Sequence, residues 1–283
     1  MTTTATLGPI AFVLTSAMRG PLLALVLLVA AGAAGAESAP LRVLFVGNSY
    51  TYVNNVPALV EAIAARAGGR PIDTEMLVAP GAYLDDFIDA KTVLDRLARE
   101  IWDVVVLQEL GGHLACLSTA ERPRPTECTE AIAAHRKLAK AARARGARVI
   151  VFGTWSMTDG VQGLVSRASR KIASQVGGRA VDVGWMLERA KKADATLALF
   201  HPDRHLKPTG SVLAALALWK AIEGREPEAA AFHAEVPVWP PETEFSLRRY
   251  VSEMPRRLPD PTTLVVDVSA DDMRTLIAAT RLD

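Results

Sequence analysis

LRVLFVGNSYTYVNNVP, residues 41–57, is the stretch that decides the fold of this 283-residue chain. Its first part, Leu41–Val46, is an almost unbroken apolar run, the pattern of a β-strand buried on both faces of a sheet. The run stops at Gly-Asn-Ser, and apolar residues return with helical spacing from Val56. Ser49 therefore follows the end of a buried strand, where it is either a turn residue or an exposed nucleophile.

The same alternation of apolar strand and amphipathic helix repeats along the chain. Further strand-like runs are Ile72–Val78, the WDVVVLQE segment Trp102–Glu109, the ARVIVFGTW segment 147–155, and Ala180–Val183. Buried strands that alternate with helices form a parallel sheet that helices cover on both faces. The sequence thus predicts an α/β protein with a three-layer α/β/α, flavodoxin-like fold and a central parallel sheet of about five strands.

The C-terminal part of the sequence departs from this order. From about Glu223 it is rich in proline and lacks periodicity, before a short strand-like run and a helix capped by Ser269. We expect residues 37–283 to form a single domain, with residues 223–283 as an extension packed on it.

The first 36 residues have the layout of a secretory signal peptide. Arg19 is their only charged residue, an apolar stretch runs from Leu22 to Ala31, and small residues stand at Ala34 and Ala36. The alternative, an uncleaved membrane anchor, needs a longer apolar span and charged flanks. We therefore expect an exported protein, periplasmic or secreted, with no stable membrane association after cleavage.

Charge balance in the rest of the chain narrows the choice of partners. Residues 37–283 carry 31 of the 32 basic residues and all 31 acidic residues. This balance gives neither the basic surface that nucleic acid requires nor a polybasic patch for anionic lipid. We expect no nucleic-acid partner, and the sequence does not determine the oligomeric state.

Cys116 and Cys128 are the only two cysteines of the chain, and they flank a polar loop with two prolines. In an exported protein, an even pair that closes a short loop indicates a disulfide. A metal site would need further ligands, and only His113 is near in sequence. The third alternative is a free catalytic thiol, and we predict the disulfide.

The segment FHPDRHLKPTG, residues 200–210, offers a partner for a serine nucleophile. A nucleophilic serine needs a base within hydrogen-bond reach, and the base needs an orienting group. His205 supplies an imidazole, and Asp203, two residues earlier on the same loop, supplies a carboxylate. Together with His201, these two side chains could instead be three ligands of a metal ion. The sequence contains no second cluster of ligands that would complete such a site.

Two further positions could stabilise the oxyanion of an acyl-transfer reaction. Gly81 follows the second predicted strand and offers a backbone N–H, and Gln108 ends the third strand and offers a side-chain amide. Beside it, Glu109 either holds the loop or steers the substrate. Ser49, Gln108 and Thr154 all come at strand ends, which places them at one edge of one sheet.

The order of these blocks resembles the SGNH/GDSL hydrolase family, over roughly residues 43–219. VGNSYT looks like its first block, PGAYL like its second, LQE stands at its third, and DRHLKPTG resembles its last. The resemblance implies that Ser49 is the nucleophile and His205 the base, with Gly81 and Gln108 in the oxyanion hole. The sequence departs from the family's pattern at two positions. Asp203 lies one residue nearer to the histidine than usual, and Gln108 stands where the family usually has Asn.

The resemblance implies an exported serine esterase that uses a Ser-His-Asp triad and an acyl-enzyme, without cofactor or metal. The Gln variant and scattered tryptophans favour small acyl groups, of acetyl type, carried on a carbohydrate. One alternative is a catalytically impaired glycan- or partner-binding protein on the same fold, which the two departures support. The other is a metal-dependent hydrolase that uses His201, Asp203 and His205.

Overall fold

Apolar runs become strands and amphipathic segments become helices in the computed structural model, which describes Met1 and residues 39–89, 91–120, 123–156, 158–239 and 262–281. The elements given below belong to the compact unit Ala39–Asp283. The predicted signal peptide lies outside the described residues, apart from Met1. Among the described segments, every helix is too short or too polar to span a bilayer.

The strands and helices follow one another along the chain in the predicted alternation. The strands are β1 (Leu41–Gly47), β2 (Ile72–Val78), β3 (Val104–Gln108), β4 (Arg148–Gly153), β5 (Arg179–Asp182), β6 (Phe232–Val238) and β7 (Thr262–Val268). The helices are α1 (Ser49–Tyr52), α2 (Val56–Ala67), α3 (Leu84–Asp89), α4 (Thr92–Arg99), α5 (Thr126–Ala144), α6 (Gln162–Val176), α7 (Val183–Ala193), α8 (Pro208–Glu223) and α9 (Ala270–Ala279), and a 3₁₀ helix spans Gly111–Leu117.

Strands β1 to β5 form one parallel sheet in the order β2-β1-β3-β4-β5. In its register, Phe45 of β1 lies between Met76 of β2 and Val106 of β3. This strand order is the flavodoxin-like arrangement, in which ligands bind beyond the carboxyl ends of the strands where the order reverses. The predicted fold class is therefore confirmed.

Successive residues of each strand face opposite sides of the sheet and divide the core into two layers. Val43 and Phe45 pack with helices α2, α7, α8 and α9, whereas Leu44 and Val46 pack with α3, α4, α5 and α6. Because both faces are covered, the strands contain the continuous apolar runs seen in the sequence.

The C-terminal part contains a strand that the sequence interpretation missed. The sequence predicts no periodic structure from about Glu223 to the strand-like run near the C-terminus, but β6 pairs antiparallel with β7, with Val236 opposite Leu264. Residues 240–261 of this segment lie outside the described residues. Phe232, Ala234 and Val236 are buried while their neighbours are exposed, so the strand does have a two-residue period. The proline at position 237 and a run of alanines before the strand concealed this short alternation.

The predicted disulfide between Cys116 and Cys128 is present in the structure. It joins the 3₁₀ helix that follows β3 to the first turn of α5, and both cysteines are buried. The bond thus closes the loop between the 3₁₀ helix and α5, within the connection that leaves the carboxyl end of β3.

Candidate active site

Ser49 lies at the carboxyl edge of the central sheet, where β1 ends and the single turn of α1 begins. Asn48, which precedes it, is fully buried and caps this turn, since its Oδ1 accepts a hydrogen bond from Tyr50 N at 3.2 Å. Its Nδ2 donates to the Ala82 carbonyl at 2.9 Å. Asn48, to which the sequence analysis gave no role, therefore ties the Ser49 turn to the loop that carries Gly81.

Gly81 has a left-handed backbone, with φ of 62°, which favours glycine at this position. No heavy atom lies within 4 Å of the position that a Cβ would occupy, so the space above the residue is open. Neither the Gly81 N–H nor the Ser49 N–H donates a hydrogen bond to a described residue. Both amides are thus available to an oxyanion at this edge of the sheet.

Gln108 ends β3 next to β1, and its side-chain amide has a fixed orientation. Its Oε1 accepts hydrogen bonds from Asn48 N at 2.8 Å and from Thr51 Oγ1 at 2.9 Å. Its Nε2 must then point the other way, where it is buried and has no hydrogen-bond partner among the described residues. A Cβ at Gly47 would collide with this side chain, so glycine is needed there for close packing. This buried NH₂ is an unsatisfied donor, the type of group that an oxyanion hole uses.

Replacing Gln108 with glutamate tests this donor. Gln108→Glu keeps an oxygen to accept from Asn48 N and Thr51 Oγ1 but replaces the donating NH₂ with a second oxygen. We expect kcat/KM for p-nitrophenyl acetate to fall by about 10²- to 10³-fold, the usual effect of losing one oxyanion donor. Unchanged kcat/KM in a folded variant would show that Gln108 is only structural.

His205 and Asp203 are hydrogen-bonded to each other as the sequence interpretation required. The His205 Nδ1 lies 3.0 Å from Asp203 Oδ2, and the His205 backbone N donates to Asp203 Oδ1 at 3.1 Å. These hydrogen bonds hold the pKa of the Asp203 carboxyl below its usual range. With the proton on Nδ1 facing a carboxylate, Nε2 is left with the lone pair that a general base uses.

The His205 Nε2 atom is buried and forms no hydrogen bond with a described residue. The Ser49 hydroxyl and the imidazole are therefore not hydrogen-bonded to each other in this structure. Catalytic hydrogen bonds are often long or poorly aligned before a substrate binds.

The loop of His205 and the turn of Ser49 nevertheless contact each other directly. Asn54, which follows α1, donates from Nδ2 to the Leu206 carbonyl at 2.7 Å and to Ser211 Oγ at 3.0 Å. The Tyr50 ring meets the His205 ring edge to face, with centroids 5.8 Å apart. These contacts join Tyr50 and Asn54, which follow Ser49, to the imidazole and to residues that follow it in the chain.

The metal-ligand alternative finds no matching geometry. Among the described residues, no group of three His, Cys, Asp or Glu side chains is placed to hold a metal ion, and this includes His201, Asp203 and His205. His201 instead forms part of the turn, where its backbone N donates to the His205 carbonyl at 2.8 Å.

Glu109 is a buried carboxyl that follows Gln108 directly and connects the end of β3 to the loop that carries Gly81. Its Oε2 accepts from Leu84 N at 3.0 Å, and its Oε1 accepts from Leu110 N at 2.8 Å. Burial, together with the nearby charges of Asp85 and Asp86, raises the pKa of Glu109 to about 7 against the opposing effect of the two amide hydrogen bonds. Glu109 thus holds the start of α3 to the end of β3 and takes up a proton near neutral pH.

This raised pKa predicts how stability changes with pH. The folded state holds the Glu109 proton more tightly than the unfolded state, so the stabilisation is complete below the usual glutamate pKa and is lost as the pH rises to about 7. The free energy of unfolding should fall by about 3 kcal/mol over this range in the wild type, and Glu109→Gln should remove this decrease. Urea unfolding below the usual glutamate pKa and again at about pH 7 measures this change in the free energy of unfolding. Glu130→Gln, which replaces an exposed carboxyl, is the control. Parallel curves for wild type and Glu109→Gln would contradict the prediction.

No protein-family model and no curated protein matches the chain. Among solved structures, TesA matches with 19% identity and a TM-score of 0.47 over 65% of this chain and 98% of that chain. The lipase/acylhydrolase from Enterococcus faecalis matches with 17% identity and a TM-score of 0.46 over 66% and 98%. A catalytic mutant of Axe2, an acetylxylan esterase from Geobacillus stearothermophilus, matches with 18% identity and a TM-score of 0.45 over 66% and 94%. At these identities and TM-scores, the similarities establish neither the fold nor the function of this chain. The fold follows from the strand order, and the function is inferred from the site residues.

Proposed function

We propose that the chain is an exported serine esterase of SGNH type that hydrolyses small acyl esters through Ser49, His205 and Asp203. The observation that carries this proposal is the meeting of three components at one sheet edge. They are a serine at the end of β1, a histidine oriented by a carboxylate 3.0 Å from its Nδ1, and a buried NH₂ of Gln108 without an acceptor. Nucleophile, base and oxyanion donor are the minimum set for acyl transfer.

In the proposed mechanism, the Ser49 Oγ attacks the ester carbonyl while His205 Nε2 takes its proton. The carbonyl oxygen becomes an oxyanion that accepts hydrogen bonds from the N–H groups of Ser49 and Gly81 and from the Gln108 NH₂. When the tetrahedral intermediate collapses, His205 returns the proton to the leaving alcohol and an acyl-enzyme forms. Water, deprotonated by the same imidazole, then releases the acid and restores the serine.

Asp203 has the role of an orienting carboxylate in this mechanism. It holds the proton on Nδ1 and stabilises the imidazolium that forms when Nε2 takes the serine proton. Its side chain is 66% exposed, in contrast to a buried triad acid, because it lies on the outside of a loop. The two hydrogen bonds to His205 nevertheless fix the carboxylate in place.

For the substrate, we propose a small acyl group, of acetyl type, on a carbohydrate. Tyr83 and His113 support this choice, since their rings stack with centroids 4.3 Å apart on the loops that follow β2 and β3. The first of these loops carries Gly81, the second begins directly after Gln108, and Tyr83 is 36% exposed. An exposed aromatic face beside a reactive centre suits the C–H face of a sugar ring.

Acetylated mono- and oligosaccharides, compared with ethyl acetate and with long-chain esters, test the substrate class. We expect release of acetate from the saccharides, and an increase in KM of about tenfold for them in Tyr83→Ala, with ethyl acetate hydrolysis unchanged. Trp185→Ala, which removes an exposed aromatic residue of α7, is the matched control. Activity on long-chain esters alone would exclude the carbohydrate proposal.

Export through the signal peptide is also part of the proposal, as is a single domain over residues 37–283. The near-zero charge balance of that part supports a protein that acts without nucleic acid and without stable membrane association. Reporter fusions to residues 1–36 test export directly, since retention of the reporter in the cytoplasm would contradict it.

A second candidate function is a non-catalytic glycan-binding protein on the same fold. The absence of a hydrogen bond between Ser49 and His205 Nε2 favours it. A fluorophosphonate probe separates the two, because only an activated serine reacts with it.

A further inference from the structure

Trp155, two residues after β4, has its indole between the two halves of the candidate triad. The side chain is 3% exposed. Its Nε1–H donates to the Arg204 carbonyl at 2.8 Å, and Arg204 is the residue between Asp203 and His205. The indole therefore holds the backbone of the loop at the point from which the carboxylate and the imidazole project.

The same indole also contacts the residue next to Ser49. The rings of Trp155 and Tyr50 have centroids 4.3 Å apart and planes inclined by 34°, and the Tyr50 ring in turn meets His205 edge to face. On the other side, Phe200 meets the indole with centroids 6.1 Å apart. One side chain thus touches the turn of the nucleophile and binds the loop of the base.

The loop needs such a restraint because its backbone is strained. Arg204 has a φ of 69°, a left-handed conformation that a residue with a long side chain seldom adopts. Such a conformation persists only where surrounding contacts fix it. The contacts that fix it include the Arg204 N–H to the His201 carbonyl at 3.0 Å, the His201 N–H to the His205 carbonyl at 2.8 Å, and the indole hydrogen bond. The Arg204 guanidinium also pairs with Asp159 Oδ1 at 2.5 Å, on the side chain rather than on the backbone.

We propose that Trp155 is a positioning residue that sets the distance between Ser49 Oγ and His205 Nε2. It holds the Asp203–His205 loop by a hydrogen bond and holds the Ser49 turn through the Tyr50 ring. An indole N–H neither gives nor takes a proton near neutral pH, so its contribution is geometric. The proposal rests on the proposed esterase function and adds a residue to it.

Trp155→Phe tests the proposal, because phenylalanine keeps an aromatic ring against Tyr50 and removes the donor to the Arg204 carbonyl. Trp102→Phe is the matched control. Trp102 is also buried, lies before β3 at the opposite end of the sheet, and its Nε1 has no hydrogen-bond partner among the described residues. Both variants lose one indole from the interior, but only the first loses a hydrogen bond to the catalytic loop.

Two readouts separate positioning from general damage to the fold. We expect kcat for p-nitrophenyl acetate to fall by about 10- to 100-fold in Trp155→Phe, with KM changed by less than about twofold, because the base is misplaced rather than the binding surface. Fluorophosphonate should label Ser49 in the same final fraction of molecules as in the wild type, but more slowly. Damage to the fold would instead lower the labelled fraction and leave the rate of the remainder unchanged.

Equal kcat in Trp155→Phe and Trp102→Phe would overturn the proposal, as would a reduced labelled fraction with a normal rate. If Trp155→Phe does not fold, Trp155→Tyr provides the same comparison, since its hydroxyl does not reproduce the position of Nε1–H. Failure of the esterase function itself is recognised separately, because wild-type Ser49 would then not be labelled.

Discussion

Replacing Ser49 with alanine is expected to lower kcat/KM for p-nitrophenyl acetate by about 10⁴-fold or more. The reason is that the acyl-enzyme of the proposed mechanism forms on the Ser49 Oγ, which the variant lacks. Only the hydrolysis that oxyanion donors and substrate binding support on their own should persist. The measurement is steady-state hydrolysis, with circular dichroism to confirm that the variant is folded.

Ser156→Ala is the control for this experiment. Ser156 also follows a strand at the same sheet edge, but its Oγ is hydrogen-bonded to the backbone of Thr158. We expect activity close to wild type in this variant. Full activity of Ser49→Ala would mean that the reaction does not use this serine.

The second large effect is expected from His205→Ala. Without the imidazole the Ser49 proton has no acceptor, so kcat should fall by a similar factor of about 10⁴ or more. Because nucleophile and base act as one unit, the double variant with Ser49→Ala should be no less active than either single variant. Kinetics of the two single variants and the double variant measure this non-additivity.

The chain offers a matched control histidine outside the site. His233 in β6 has its Nδ1 2.7 Å from Asp267 Oδ1 in β7, a His–Asp pair like that of His205 and Asp203. Both residues of this second pair are exposed and project from the two-stranded sheet. His233→Ala should retain activity. Equal losses in His205→Ala and His233→Ala would remove the basis for assigning His205 as the base.

The central sheet could be predicted from the sequence because its strands are buried on both faces. Runs such as Leu41–Val46 and Val104–Leu107 have no polar face, and this pattern is typical of parallel strands covered by helices. The missed strand β6 has only one buried face, so its apolar residues alternate with exposed ones instead of forming a continuous run. An alternation of buried and exposed residues that includes Pro237 is hard to recognise within a proline-rich segment. The pairing of β6 with β7 therefore became visible only in the structure.

The candidate site was predictable where its residues follow strand ends, and not where distant contacts define them. Ser49 and Gln108 stand directly at the ends of buried runs, and Asp203 is two residues from the histidine that it contacts. Asn48 and Trp155 act through hydrogen bonds to carbonyls that are 34 and 49 residues away in the sequence. Nothing in their local sequence distinguishes them from a turn residue and a core residue.

Fluorophosphonate labelling of the wild-type protein, followed by mass spectrometry of its peptides, tests the central claim most directly. The probe forms a stable phosphonyl ester only with a serine whose proton is removed by a base. We predict a single adduct on the peptide that contains Ser49, and no adduct in folded His205→Ala. An unlabelled wild-type protein with an intact fold, or an adduct on another serine, would contradict the assignment of Ser49 as the nucleophile.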